Sequence, residues 1–159
     1  MTTLEVSRNK IFERATLGNR LAMWRLLGNK IVFTNGCFDI LHRGHIEYLS
    51  QARDKGTILV IGLNSDASVK RIKGEGRPVQ DEGSRALVLA SLRFVDAVIL
   101  FDEDTPLDLI NFVEPDVLVK GGDYTEETIV GAKEVKARGG EVVVIPLVEG
   151  YSTSSILNA

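Results

Sequence analysis

The chain has 159 residues, 44% of them hydrophobic and 26% charged, the make-up of one globular domain with a single sizeable core. Its net charge of −3 argues against broad nucleic-acid binding, no apolar run approaches a membrane span, and the polar start Met1-Thr2-Thr3-Leu4-Glu5 lacks the basic-then-apolar order of a secretory signal. One cysteine, Cys37, forbids an intramolecular disulfide, so the expectation is a cytoplasmic protein whose partners are small molecules, not nucleic acid or membrane.

Residues 1–29, with Leu17, Leu21, Trp24 and Leu27 at helical spacing, read as an N-terminal helical extension that packs on the domain of residues 30–159 or on a partner chain, with Trp24 as a core residue. Ile31-Val32-Phe33-Thr34 reads as the first buried strand. Ile46, Leu49 and Ala52 then supply a helix face, stopped at Lys55-Gly56. The second strand is the run from Ile58 to Leu63. Lys70, Arg71, Lys73 and Arg77, interrupted by Gly74 and Gly76 and closed by Pro78, read as a mobile basic loop. Alone, such a run is a solvated surface; beside a phosphate site its cations could close over a polyanion.

Asp81 is a plausible N-cap for a helix carrying Leu87, Ala90 and Phe94. Ala97-Val98-Ile99-Leu100 is the next strand, and Asp104-Thr105-Pro106 reads as a cap with proline in the first turn of a helix through Ile110 and Val113. Val117-Leu118-Val119 follows as a strand, Ile129, Ala132 and Val135 mark a helix halted by Gly139-Gly140, and Val142 to Ile145 form the last strand. A short final helix starts near Ser152. Apolar strands alternating with helices belong to a parallel sheet covered on both faces, so the expected fold is α/β: a doubly wound, Rossmann-like three-layer sandwich on a five-stranded parallel sheet. Its ligands bind beyond the carboxyl ends of the strands, where the strand order reverses.

The stretch Gly36-Cys37-Phe38-Asp39-Ile40-Leu41-His42-Arg43-Gly44-His45 falls at such a strand end. Two histidines three residues apart, with Gly44 before the second and a helix starting there, put ring N–H donors and backbone N–H groups around one concavity suited to phosphate. An H-x-x-H pair on a helix can also ligate a metal, but these are the only histidines and Cys37 stands alone, so no third zinc ligand is evident. Cys37 reads as a small buried thiol rather than a nucleophile.

This G-C-F-D-x-x-H-x-G-H block, with Glu149-Gly150-Tyr151-Ser152-Thr153-Ser154-Ser155 at the far end, resembles the cytidylyltransferase-like nucleotidyltransferase superfamily. With Val32 to Asp39, Leu63-Asn64-Ser65-Asp66-Ala67-Ser68, Lys73-Gly74-Glu75-Gly76-Arg77-Pro78-Val79 and Val119-Lys120-Gly121-Gly122-Asp123-Tyr124, the chain is similar to the D-glycero-β-D-manno-heptose 1-phosphate adenylyltransferases over roughly residues 30–157. The resemblance implies transfer of AMP from ATP to a heptose 1-phosphate, giving pyrophosphate and ADP-heptose for the lipopolysaccharide core, with Mg2+ bridging the triphosphate and a homodimer as the working form. In many bacteria such a domain is fused to a heptose 7-phosphate kinase; this chain resembles the stand-alone form.

The same resemblance distributes roles. His42, His45 and Lys73 are the catalytic candidates, the histidines on the ATP phosphates and Lys73 bridging ATP and sugar phosphate. Thr34, Asn35, Gly36, Cys37, Phe38 and Gly44 around the first turn, Arg85, Lys120, Gly122 and Asp123, and the hydroxyls of Ser152, Thr153, Ser154 and Ser155 are candidates for the nucleotide. Asp39, Asn64, Lys70 and Arg77 are candidates for the acceptor, although Asp39 also fits a residue that orients a histidine, Gly36 a plain turn glycine and the serines a helix cap. No protein metal ligand is expected. Related cytidylyltransferases carry an arginine shortly before the serine cluster; Leu147 and Val148 stand there, which weakens a CTP reading. The alternatives are a CTP-dependent enzyme acting on glycerol 3-phosphate or another small phosphate, and a noncatalytic nucleotide-binding regulator on the same fold.

Overall fold

A strand buried on both faces needs no polar alternate, and the apolar runs become the body of one sheet. The computed structural model describes residues 1–122 and 124–158. It forms these runs into β2 (Ile31–Gly36), β3 (Ile58–Asn64), β4 (Ala97–Phe101), β5 (Val117–Gly121) and β6 (Glu141–Ile145). Every pairing is parallel, in the order β1-β4-β3-β2-β5-β6, where β1 is Ile11–Phe12. The side-chain period of two sends alternate residues to opposite faces. Ile31 and Phe33 meet α2 (Arg14–Leu26), α6 (Leu107–Val113) and α7 (Ala132–Ala137) through Leu17, Leu21, Leu109, Ile110, Val113 and Val135. Val32, Leu59 and Ile61 meet α3 (Arg43–Arg53) and α5 (Glu82–Ala90) through Leu49, Ala52, Ala86 and Leu89. The result is the expected doubly wound sandwich.

The sheet has six strands rather than five. After the short helix α1 (Thr3–Arg8), Ile11 and Phe12 pair with Val98 and Ile99 at the edge, too short a run to show a period. The first 29 residues are thereby built into the sandwich: Leu17 and Leu21 are fully buried and Trp24 packs edge-on to Phe12 at 6.3 Å, while Leu27, just past α2, is exposed.

The basic run is not one loop either. Ser65 caps α4 (Asp66–Lys73) by accepting the Ser68 N–H, and Lys70, Arg71 and Lys73 form its last turn, where cations complement the helix dipole. Pattern reading missed this helix because its buried face is little more than Ser68 and Val69. Smaller shifts occur elsewhere: Asp81 caps α5 as expected, but Phe94 lies beyond its end; Pro106 is itself the N-cap of α6; and Ile129 follows a 3-10 turn, Glu126–Thr128, ahead of α7. The last helix, α8 (Thr153–Leu157), is capped by Ser152.

Because Leu17 is completely buried beneath the sheet, Leu17→Ala is expected to cost about 2–5 kcal/mol in urea unfolding. A cost below about 1 kcal/mol would show that the N-terminal segment is merely appended to the core.

Candidate active site

The chain runs from β2 outward to β3 and β4, then returns to the other side of β2 for β5 and β6, so the order reverses between β2 and β5. There the sheet opens. β2 stays in register with β3 through Gly36↔Leu63, and β5 with β6 through Gly121↔Ile145, but β2 and β5 pair only at Val32↔Val117 and Phe33↔Leu118. Tyr48, on the second turn of α3, spans the gap: its phenol donates to the Val119 carbonyl at 3.3 Å and shares a 2.6 Å hydrogen bond with the Thr34 hydroxyl. Burial pushes that phenol up to about 12, so it remains a neutral bridge.

Above this floor, His42 is the N-cap of α3 and its Nδ1 accepts the Gly44 N–H at 3.1 Å. His45 Nδ1 in turn accepts the His42 N–H at 3.3 Å, and the rings stack at 3.9 Å. With both Nδ1 atoms accepting, each neutral ring carries its proton on Nε2. Burial lowers the pKa of His42; burial and then the neighbouring His42 bring His45 down to about 4. Both are therefore uncharged donors at neutral pH. The expectation of open backbone N–H groups is corrected here: the cap takes up the Gly44 N–H, and the His42 carbonyl takes the His45 N–H at 3.0 Å. Gly44 lacks a Cβ for a steric reason, since one would sit 2.9 Å from the His42 ring and 3.1 Å from Tyr151 Cβ. Phe38, at φ 44°, folds its ring over Gly36 and edge-on to His45 at 5.4 Å.

Two buried charges hold the surrounding loops. Asp39 accepts from Arg77 Nε at 2.8 Å and from the backbone N–H groups of Val79 and Gln80. Burial would raise its pKa, but these donors together hold the carboxyl below its ordinary value. Arg85, 1% exposed, donates to the carbonyls of Gln80, Cys37 and Asn64 and to the Asp66 carboxylate. It ties the turn after β2, the end of β3 and the Arg77–Pro78 loop into one frame.

The resulting cleft has a volume of about 740 Å³ and is lined by His42, His45, Asn35, Gly36, Cys37, Phe38, Asp39, Gly44, Asn64, Lys73, Arg77, Lys120, Gly122, Ser152, Thr153 and Ser154 among the sequence candidates. The histidine pair and the hydroxyl-rich helix tip thus share one cleft. Thr153 Oγ1 donates to the Ile40 carbonyl at 3.5 Å, and Arg43 reaches the Tyr151 hydroxyl at 3.2 Å, joining α8 to the start of α3. Lys120 lies over the Tyr124 ring at 5.0 Å and burial lowers its pKa, whereas burial raises that of the Cys37 thiol, in keeping with a thiol that is not a nucleophile.

Four candidates stand elsewhere. Thr34 is fully buried against Tyr48 beneath the cleft, and Arg85, buried outside the cleft lining, donates to carbonyls and to Asp66. Lys70 pairs with Glu75 at 3.4 Å on the outside of α4, and Ser155 donates its N–H to Ser152 as part of the α8 cap. Asp123 lies outside the described residues. The cleft also includes Tyr48, Ile72, Phe101, Asp104, Pro106 and Tyr124, none of them a ligand candidate from the sequence. Tyr48 is three residues from His45 on one helix face, and Asp104 and Pro106 follow the carboxyl end of β4; those two rules were the available signals.

The cytidylyltransferase-like family model matches residues 33–159. The chain is 59% identical over 141 residues to the bifunctional protein HldE of Nitrobacter hamburgensis, covering 89% of this chain and 29% of that protein. It is 56% identical over 149 residues to the bifunctional protein HldE of Methylobacillus flagellatus, covering 94% of this chain and 30% of that one. The chain therefore spans less than a third of the length of these relatives. Among solved structures, the lipopolysaccharide core biosynthesis protein from Thermoplasma volcanium is 31% identical with a TM-score of 0.62, over 79% of this chain and 100% of that one.

The low pKa of His45 has a stability consequence. The unfolded chain takes up this proton near 6.5 and the native ring only near about 4, so between those values the unfolded state binds more protons. Stability from this site is complete above pH 6.5 and is lost as pH falls toward 4. Urea midpoints measured from pH 7 to pH 4 should fall more steeply for the wild type than for His45→Gln; equal slopes would reject the half-buried neutral imidazole.

Proposed function

Because the chain belongs to the cytidylyltransferase-like family, we propose that it is an adenylyltransferase that moves AMP from ATP to the anomeric phosphate of D-glycero-β-D-manno-heptose 1-phosphate. The products are pyrophosphate and ADP-heptose, a precursor of the lipopolysaccharide core. The observation that carries this reading is the pair of Nε2-protonated imidazoles in the same switch-point cleft as the Ser152 and Thr153 hydroxyls. The likeness to HldE proteins and to a lipopolysaccharide core biosynthesis protein supports the choice of acceptor.

A sugar phosphate is already nucleophilic at neutral pH, so the site needs neither a covalent residue nor a strong base. An acceptor phosphate oxygen attacks the α-phosphorus of ATP; the new P–O bond forms as the bond to pyrophosphate breaks, and no proton need move. Charge grows on the equatorial and leaving oxygens, and His42 and His45 donate Nε2–H to them. Lys73 bridges the acceptor phosphate and the triphosphate, and Lys120 and Gly122 hold the nucleoside side. Magnesium bound together with ATP would supply further neutralisation of the triphosphate charge, a role that needs few protein ligands. No helix of the described residues is long and apolar enough to cross a membrane. The reading makes the protein a cytoplasmic homodimer.

Pyrophosphate release from ATP and CTP, each against a panel of phosphorylated acceptors, tests the reading. ATP with heptose 1-phosphate should turn over and yield ADP-heptose; activity confined to CTP and glycerol 3-phosphate, or tight ATP binding with no turnover for any pair, would overturn it. In the same assay, His45→Ala should lower kcat by about a hundredfold or more with the fold intact, the scale of losing one preorganised donor. Near-normal turnover would remove His45 from the mechanism.

A further inference from the structure

Of the two carboxylates that line the cleft among the described residues, Asp39 and Asp104, only the second has an unused face. Asp39 is 3% exposed and both its oxygens accept from Arg77, Val79 and Gln80. Asp104 stands on the loop after β4 with its side chain 83% exposed, and Arg71 of α4 donates Nε–H to its Oδ1 at 3.2 Å. The same guanidinium donates to the Asp102 carbonyl, which anchors it to that loop. One carboxylate oxygen is thus oriented by a fixed cation, while no partner among the described residues takes Oδ2.

A carboxylate beside a triphosphate would repel it, so Asp104 belongs where the bound ligand is uncharged. The nucleotide candidates Lys120, Ser152 and Thr153 come from β5 and the α8 end of the chain; Asp104 comes from the loop after β4, and the exposed Ile72 of α4 and Pro106 line the same cleft. Aliphatic groups in the same wall as a charged acceptor suit a polyol, whose C–H face packs on the apolar surface while its hydroxyls donate to the carboxylate. Lys73 and Arg77, in the same wall, are placed for the phosphate of that ligand. We propose that Asp104, oriented by Arg71, reads sugar hydroxyls of the acceptor and sets its specificity. The inference rests on the sugar-phosphate reading above and extends it to the residue that distinguishes a sugar from a bare phosphate.

Steady-state kinetics of Asp104→Ala and Asp104→Asn test it, with ATP and acceptor varied separately and the magnesium requirement recorded. The expected result is a KM for the sugar 1-phosphate raised about tenfold or more in Asp104→Ala and less in Asp104→Asn, the scale of losing a charge-assisted hydrogen bond. The KM for ATP, the magnesium requirement and the melting temperature should stay at wild-type values. An unchanged acceptor KM in a wild type that does use sugar phosphates overturns this inference alone. A shift in ATP KM or magnesium requirement instead would assign Asp104 to the nucleotide side and overturn it too. A wild type that uses no sugar phosphate at all would overturn both this inference and the function on which it rests.

Discussion

Beyond Phe33 and Leu118 the two central strands stop pairing, and the separated ends of β2 and β5 carry polar backbone groups that need partners or water. Tyr48 answers that need on one side by donating to Val119, and its ring fits because Gly121 has no Cβ; one would lie 3.0 Å from Tyr48 Cε2. The opening in the sheet is thereby floored by a neutral, fully bonded side chain rather than by loose backbone. The histidines are positioned relative to that floor through α3, which carries Tyr48, and Lys120 through β5, which accepts its hydrogen bond.

Around the opening, full charges and neutral donors are used differently. Arg85 is fully buried, and such a guanidinium is tolerated because its fork meets three carbonyls and a carboxylate. Asp39 is the converse case, an anion surrounded by N–H donors from the loop it restrains. Both are consumed by structure, and their satisfaction fixes the turn that presents His42. Lys73 and Lys120 remain on the cleft walls, where a flexible ammonium can follow a ligand.

The parts of this arrangement that the sequence reveals are those with a local cause. Buried strands announce themselves as apolar runs, and Asp81 and Ser152 announce the helices that they cap, so the sandwich and the end of the sheet that carries His42 and His45 are readable without coordinates. What escapes reading is decided by distant partners. The carbonyl acceptors of Arg85, 21 and 48 residues away in the chain, give it a structural role that its position in the sequence does not announce. Thr34 looks like part of the turn until Tyr48 claims its hydroxyl. Ile11–Phe12 becomes a strand only because β4 offers an edge, and the helix at Asp66–Lys73 shows little buried face to betray it.

The tautomers of the histidines are the point at which fold and proposed chemistry meet. A permanent cation at the same place would bind the ground-state triphosphate and the transition state with similar strength, which tightens binding without speeding transfer. A neutral Nε2–H donor gains most where negative charge newly develops, and it costs little to keep dry. Such a donor is useful only if its proton stays on the right nitrogen. The cap of α3 secures this, because the backbone N–H groups of Gly44 and His42 occupy both Nδ1 atoms before any ligand arrives. Burial and mutual proximity then keep a second proton off His45. The same spacing that starts the helix therefore orients the donors, and the G-H pair at Gly44 and His45 serves the backbone geometry and the proposed reaction through one set of hydrogen bonds.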